Sequence, residues 1–135
     1  MSIDGMTVQR DGDRYTTTRV SREAAVTVTV DAGQPREPVL QTGLAFFDHM
    51  LEMLGWYADL TIDARYEVRT YRLAHVVCED AGLALGAALA QLVRDRIEGG
   101  VDSSGSADGI IDEASATARI SFEGRSGCRV RRGGA

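Results

Sequence analysis

Only two histidines occur in this chain, and each stands beside carboxylates. His49 follows Asp48, and His75 opens the segment His75-Val-Val-Cys78-Glu79-Asp80. Imidazole, thiolate and carboxylate are all competent ligands for a divalent transition metal. On a helix, positions i, i+3 and i+4 share a face, so His75, Cys78 and Glu79 project together. Continuing that stripe gives Gly82 and Gly86, which carry no side chain to block a ligand or another backbone. A polar cluster followed by glycines fills a core poorly but suits a site, and His49 could complete a metal shell. Two other readings stay open on the residues alone. One is a helix-start ion pair of His75 and Glu79, with Cys78 a small buried hydrophobe. The other is a Cys78–His75 nucleophilic pair.

Further polar features are isolated. Asp112-Glu113 precedes a strand and reads either as a general base or as a solvated turn. Arg19-Val-Ser21-Arg-Glu23 reads as exposed charge ahead of a strand. Arg125 sits in Gly124-Arg125-Ser126-Gly127, a glycine-flexible turn where a guanidinium could meet a phosphate with two parallel hydrogen bonds.

These residues must be positioned by regular elements. Val26-Thr27-Val28-Thr29-Val30 alternates in β-branched residues and predicts a half-buried strand. Asp31-Ala-Gly-Gln-Pro35 is a turn, and Pro38 punctuates the return toward Val39-Leu40. Phe47, Leu51 and Leu54 recur at i, i+4 and i+7, which predicts a helix over 44–54 carrying His49, with Gly55 as its stop. Leu60 to Tyr66 alternates again and predicts a second strand. Ala74 to Ile97 reads as a long, alanine-rich helix carrying His75, apolar around most of its circumference and so buried against a sheet. Gly99-Gly100 ends it, and 102–106 reads as a flexible loop. A third strand runs over Ala116–Phe122, and the Gly124–Gly127 turn predicts a short final one. The order predicts an α+β fold with two helices packed on one face of a mostly antiparallel sheet.

Composition bounds the function. The chain has 135 residues, about the size of one domain, with 44% hydrophobic and 26% charged residues. Two cysteines, Cys78 and Cys128, are too few for a secreted disulfide framework. No run of apolar residues reads as a membrane span, and residues 1–12 lack the layout of a signal peptide, so a cytoplasmic protein without membrane partners is expected. All 15 basic residues are arginine, which excludes a Schiff-base lysine and the P-loop lysine. Net charge is −5, yet Arg125, Arg129, Arg131 and Arg132 make the last eleven residues +4, leaving the first 124 at −9. An acidic body of that kind repels nucleic acid, which is therefore not an expected partner.

Taken together, several segments resemble the imidazoleglycerol-phosphate dehydratase family. Thr42-Gly-Leu-Ala-Phe-Phe-Asp-His-Met-Leu-Glu is similar to its T-G-x-x-F-x-D-H-M-L-E segment, and Asp59-Leu-Thr to its D-L-T strand start. His75-Val-Val-Cys-Glu79-Asp80-Ala-Gly-Leu-Ala-Leu-Gly-Ala-Ala-Leu resembles the H-H-x-x-E-D-x-x-x-x-L-G-x-A-L helix. Arg19-Val-Ser-Arg-Glu23 looks like R-x-T-x-E-T, Asp112-Glu113-Ala114 like the end of P-M-D-E-A, and Gly124-Arg125 like S-G-R. The matches run in order across residues 19–125.

The resemblance implies a ribosomal protein S5 domain 2-like half-unit over residues 14–98, within a single domain spanning 1–135, and strands of an incomplete second half over 107–132. It implies a dehydratase acting on a small phosphorylated molecule in histidine biosynthesis, assembled as a homo-oligomer. It implies manganese, with His49, His75 and Glu79 as ligands, and catalytic roles for Glu23, His49 and His75. Arg19 and Arg125 become substrate-binding residues, Arg125 at the phosphate. The sequence departs from the family pattern: the stretch between Met50 and Asp59 is two residues shorter, and the arginine–tyrosine–glycine that follows the long helix is absent from Val101-Asp-Ser-Ser-Gly. Val76 replaces the second histidine of the pair, Gly55-Trp56-Tyr57 stands where another histidine is usual, and the second H-H-x-x-E has no counterpart. Two alternatives accompany the dehydratase: a metal-independent enzyme using Glu23, His49, His75 and Cys78, and a non-catalytic binding or assembly protein of the same ancestry.

Overall fold

The structure, a computed structural model, describes residues 2–3, 6–125 and 127–133. The chain divides into two compact units, Met1–Ile97 and Glu98–Ala135.

The first unit follows from alternation. β4 (Ala24–Asp31) buries Ala24, Val26, Val28 and Val30 and leaves Ala25, Thr27 and Thr29 half-buried on the other face. β6 (Thr61–Val68) pairs with it antiparallel, setting Ile62, Ala64 and Tyr66 opposite Val30, Val28 and Val26. β3 (Arg14–Val20) pairs on its other side, with Tyr15 and Thr17 on the buried face. On the opposite face Thr16 bonds Thr29 at 2.8 Å and Thr18 bonds Thr27 at 3.0 Å, cross-strand pairs suited to an open polar surface. β1 (Ser2–Ile3), β2 (Met6–Asp11) and β5 (Leu40–Gln41) complete a sheet of order β1-β2-β3-β4-β6-β5, antiparallel except where β5 lies parallel to β6. The β2–β3 hairpin has no counterpart among the predicted elements. Arg19 consequently lies in a strand rather than in a charged approach to one.

α1 (Ala45–Tyr57) and α2 (Ala74–Arg96) bury one face each in a single core with those strand residues, as the α+β expectation requires. α2 packs through Val77, Ala81, Ala84, Leu85, Ala88 and Leu92, and its alanines let the helix lie close to β3 and β4. With the short 3-10 turn Ile97–Gly99 it forms a stretch, Ala74–Gly99, that is long and apolar enough to cross a membrane by length and composition. That corrects the expectation that no apolar run reaches such a length. The apolar face is spent on the sheet: each fully buried valine or leucine there is worth about 1.5–3 kcal/mol.

Gly55 is not the stop of α1. The helix runs two residues further, and the αL residue beyond it is Asp59, at φ +55. Leu60 N–H donates to Gly55 C=O at 2.9 Å and Asp59 N–H to Trp56 C=O at 3.3 Å, the paired bonds of a Schellman end. Gly55 serves packing instead: a Cβ there would stand 2.8 Å from the Leu60 carbonyl.

The second unit is a hairpin of β7 (Ser104–Ile111) and β8 (Ala114–Ser121), every residue of which is exposed. The predicted loop over 102–106 is thus extended from Ser104 onward. Pairing with β8 supplies the hydrogen bonds that its glycine and serines do not favour by propensity. Asp112-Glu113 forms the connection between the two strands, with Asp112 at φ +50. The predicted final strand does not form: residues 127–133 have no regular structure, and Ser126 lies outside the described residues.

Candidate functional site

The first unit gathers polar side chains at the end of the sheet where β4 begins and β6 stops. The β3–β4 connection Ser21–Glu23 is stitched to the β6–α2 connection: Arg69 and Thr70 N–H donate to Glu23 C=O at 2.9 and 3.0 Å, and Thr70 Oγ1 donates to Arg22 C=O at 3.0 Å. Arg72, from the same connection, donates to Thr42 C=O and lies 5.3 Å from the Tyr66 ring centroid. Gly43 makes room for it, since a Cβ there would meet the Arg72 guanidinium at 1.8 Å, and its φ is +79. Asp48, beside His49, is occupied locally, accepting from Thr42 N–H at 3.2 Å and Thr42 Oγ1 at 2.5 Å. The Thr42–Asp48 segment is thereby fixed at the start of α1, which has no side-chain cap of its own.

Arg19 and Asp80 form the best-buried pair of this region. Arg19 Nε donates to Asp80 Oδ1 at 2.6 Å, with side-chain exposures of 32% and 7%. Burial raises the Tyr66 phenol pKa, the charges of Asp80 and Glu23 raise it further, and Arg72 opposes them. The phenol, two acids and a guanidinium therefore share one neighbourhood.

The nominated residues stand as follows. Glu23 is half-buried in the β3–β4 connection. His49 is exposed on α1, its Nδ1 3.6 Å from Glu52 Oε2. His75, Cys78 and Glu79 are exposed on α2, turned away from Val77 and Ala81, and a Cβ on Gly82 or Gly86 would meet nothing within 4 Å. That stripe is open to solvent. Cys78 is free and exposed rather than a core hydrophobe. Arg125, in the second unit, is 89% exposed with Nη2 3.6 Å from Glu123 Oε2, and Asp112 and Glu113 are exposed.

Among the described residues no group of three or more His, Cys, Asp or Glu side chains is placed to hold a metal ion. A manganese centre takes about six oxygen and nitrogen ligands. The donors that one chain brings together do not fit that group.

A cleft of about 550 Å³ lies elsewhere, between the Gly33–Pro38 segment and the second half of α1, lined by Met53, Trp56 and Ile62 among others and by none of the nominated residues. Tyr66, Arg72 and Asp80 were not nominated by sequence reasoning. Asp80 had a legible signal: it recurs with Val77, Ala81 and Ala84 on the apolar face of a helix, where a carboxylate must find a partner.

The sequence pattern of the imidazoleglycerol-phosphate dehydratase family matches residues 42–133, a stretch that starts at the Thr42–Asp48 segment and takes in α2 and the hairpin. The chain belongs to the imidazoleglycerol-phosphate dehydratase family. An imidazoleglycerol-phosphate dehydratase from Listeria monocytogenes is 29% identical over 111 residues, 82% of this chain and 56% of that protein. The enzyme of the same name from an Exiguobacterium species is 32% identical over 79% of this chain and 54% of its own length. The histidine biosynthesis bifunctional protein HisB of Xanthomonas oryzae pv. oryzae is 40% identical over 78 residues, 58% of this chain and 21% of that protein. The chain thus spans about half the length of the dehydratases it matches. In this member of the dehydratase family, Arg72 ties the start of the matched stretch at Thr42 to the β6–α2 connection.

Proposed function

We propose that the chain is a carbon–oxygen lyase of imidazoleglycerol-phosphate dehydratase type, eliminating water from a small phosphorylated substrate. Family membership over residues 42–133 carries the reading, because that stretch includes His49, His75, Glu79 and Arg125. In this reading the first unit is a half-unit of the ribosomal protein S5 domain 2 type, and the protein works as a homo-oligomer in the cytoplasm. Glu23, His49 and His75 handle protons, and Arg19 and Arg125 hold the substrate. His49, His75 and Glu79 serve as ligands, in divalent-metal sites that form only between copies of the chain, manganese by family resemblance. Their exposure, and the open stripe beside Gly82 and Gly86, support a site completed from outside the chain.

One observation favours a non-catalytic binding or assembly protein of the same ancestry: no three metal-binding side chains come together within the chain's described residues. One experiment separates the readings. The purified protein is incubated with imidazoleglycerol phosphate and manganese, loss of water is followed by mass spectrometry, and bound manganese is measured for wild type and His75→Ala. Turnover and metal uptake in wild type, both lost in His75→Ala, are expected. Absence of turnover, with no metal on either protein, assigns the non-catalytic role.

A further inference from the structure

The first unit buries two carboxylates and treats them differently. Asp31 uses both oxygens: Oδ1 accepts from Gly33 N–H at 3.0 Å, and Oδ2 accepts from Arg14 at 2.8 Å and Arg36 at 3.3 Å. Asp80 uses one. Its Oδ1 accepts from Arg19 Nε at 2.6 Å, while Oδ2 is buried with no hydrogen-bond partner.

Arginine commonly meets a carboxylate with two parallel N–H groups, and such a fork would satisfy Oδ2. Here the guanidinium is gripped through Nε alone. Neither terminal nitrogen of Arg19 has an acceptor among the described residues, and the side chain keeps 32% of its surface exposed. Thr17, two residues earlier on the same strand and likewise turned to the buried face, has a second buried oxygen without a partner. A pair serving only to join α2 to β3 would gain from closing the fork, since an unmet buried oxygen is a cost the molecule bears. The open fork has a use if those nitrogens are reserved for something else.

We propose that Asp80 is a positioning residue, holding Arg19 by Nε so that its two terminal nitrogens face an anionic group of the substrate at the Glu23 end of the sheet. This rests on the dehydratase reading for the substrate's phosphate. Asp80 touches no ligand itself. It fixes the rotation of the guanidinium, and the preset fork spares the ligand the entropy of ordering a free arginine. Arg19 pairs with Val26 and Val26 with Tyr66, and Glu23 lies in the connection that follows β3, so an anion held by Arg19 would stand near both.

The test uses the full chain and inorganic phosphate as probe, with binding followed by calorimetry and folding by thermal melting. Arg19→Lys keeps an ion pair with Asp80 but spends its one ammonium on it. It is expected to weaken phosphate binding roughly tenfold or more, the worth of a charge-assisted hydrogen bond, with the melting midpoint unchanged. Asp80→Asn keeps an acceptor for Nε without the charge and is expected to weaken binding in the same direction. If Asp80→Asn fails to fold, Arg19→Lys decides alone. Equal phosphate affinity in Arg19→Lys and wild type, or no binding by wild type, overturns the proposal. Phosphate binding that responds to both variants, in a protein that does not turn over imidazoleglycerol phosphate, removes the dehydratase reading and leaves the role of Asp80 standing.

Discussion

Arg36 meets Asp63 with both terminal nitrogens, at 3.0 and 2.6 Å, and the same carboxylate accepts the Val39 N–H at 2.8 Å. This clamp draws the proline-flanked segment after β4 across the sheet, so that β5 enters parallel to β6. Arg36 also reaches Asp31, which holds Arg14, and the four charges form a chain along the rim of the open face.

Burial alone would raise the Asp63 carboxyl pKa, but the Arg36 guanidinium and the Val39 N–H overcome it and hold it below the usual carboxylate range. Asp31 is held low against its own burial by the Gly33 N–H, Arg14 and Arg36. A carboxylate whose folded pKa is depressed contributes stability above its unfolded value, near 4, and loses it as pH falls through the folded value. Stability is therefore expected to drop on acidification below about pH 4. Asp63→Asn should cost about 1–2 kcal/mol at neutral pH and flatten that acid limb. Urea midpoints measured from neutral to acid pH check both. An acid limb as steep in the variant as in wild type counts against the clamp.

Gly43 and Arg72 are coupled by space. Gly43→Ala places a methyl group on the guanidinium at a backbone angle that suits glycine, and about 1–3 kcal/mol of destabilisation is expected. In the double variant with Arg72→Ala the clash disappears and only the backbone strain remains. The two costs should then sum to more than the double variant shows, as a double-mutant cycle in urea would measure.

Two helical glycines should respond with opposite signs. Gly55→Ala drives a methyl to 2.8 Å from the Leu60 carbonyl and is expected to destabilise by about 1–3 kcal/mol despite alanine's better helix propensity. Gly82→Ala meets nothing within 4 Å and is expected to stabilise by about 0.5–1 kcal/mol. Thermal melts of the two variants side by side decide it, and a Gly55→Ala protein more stable than wild type would contradict the packing described for α1 on β6.

Tyr66 loses its proton late, because burial and the nearby Asp80 and Glu23 charges disfavour the phenolate more than Arg72 favours it. A raised folded pKa contributes stability that is complete below the unfolded value, near 10, and is lost as pH rises through the folded one. Tyr66→Phe should soften the alkaline loss of stability. Tyrosinate absorbance recorded through alkaline unfolding would show one fewer late-titrating phenol.

The sequence by itself determined the elements whose signal is local. Val26-Thr27-Val28-Thr29-Val30, the alternation from Leu60 to Tyr66, the period of Phe47, Leu51 and Leu54, and the alanine-rich 74–97 stretch all lie where predicted, because strand and helix periods are written in neighbouring residues. The family was legible too, since its motifs are short runs of adjacent residues. Tertiary structure decided what depends on distant partners. Whether Gly55 ends a helix or admits a strand depends on the Leu60 carbonyl, and whether 104–111 is loop or strand depends on β8. The shared helical face of His75, Cys78 and Glu79 followed from spacing alone. That it looks outward, while Asp80 turns in to Arg19 from a strand 61 positions earlier, was settled by which side of α2 the sheet's valines occupy.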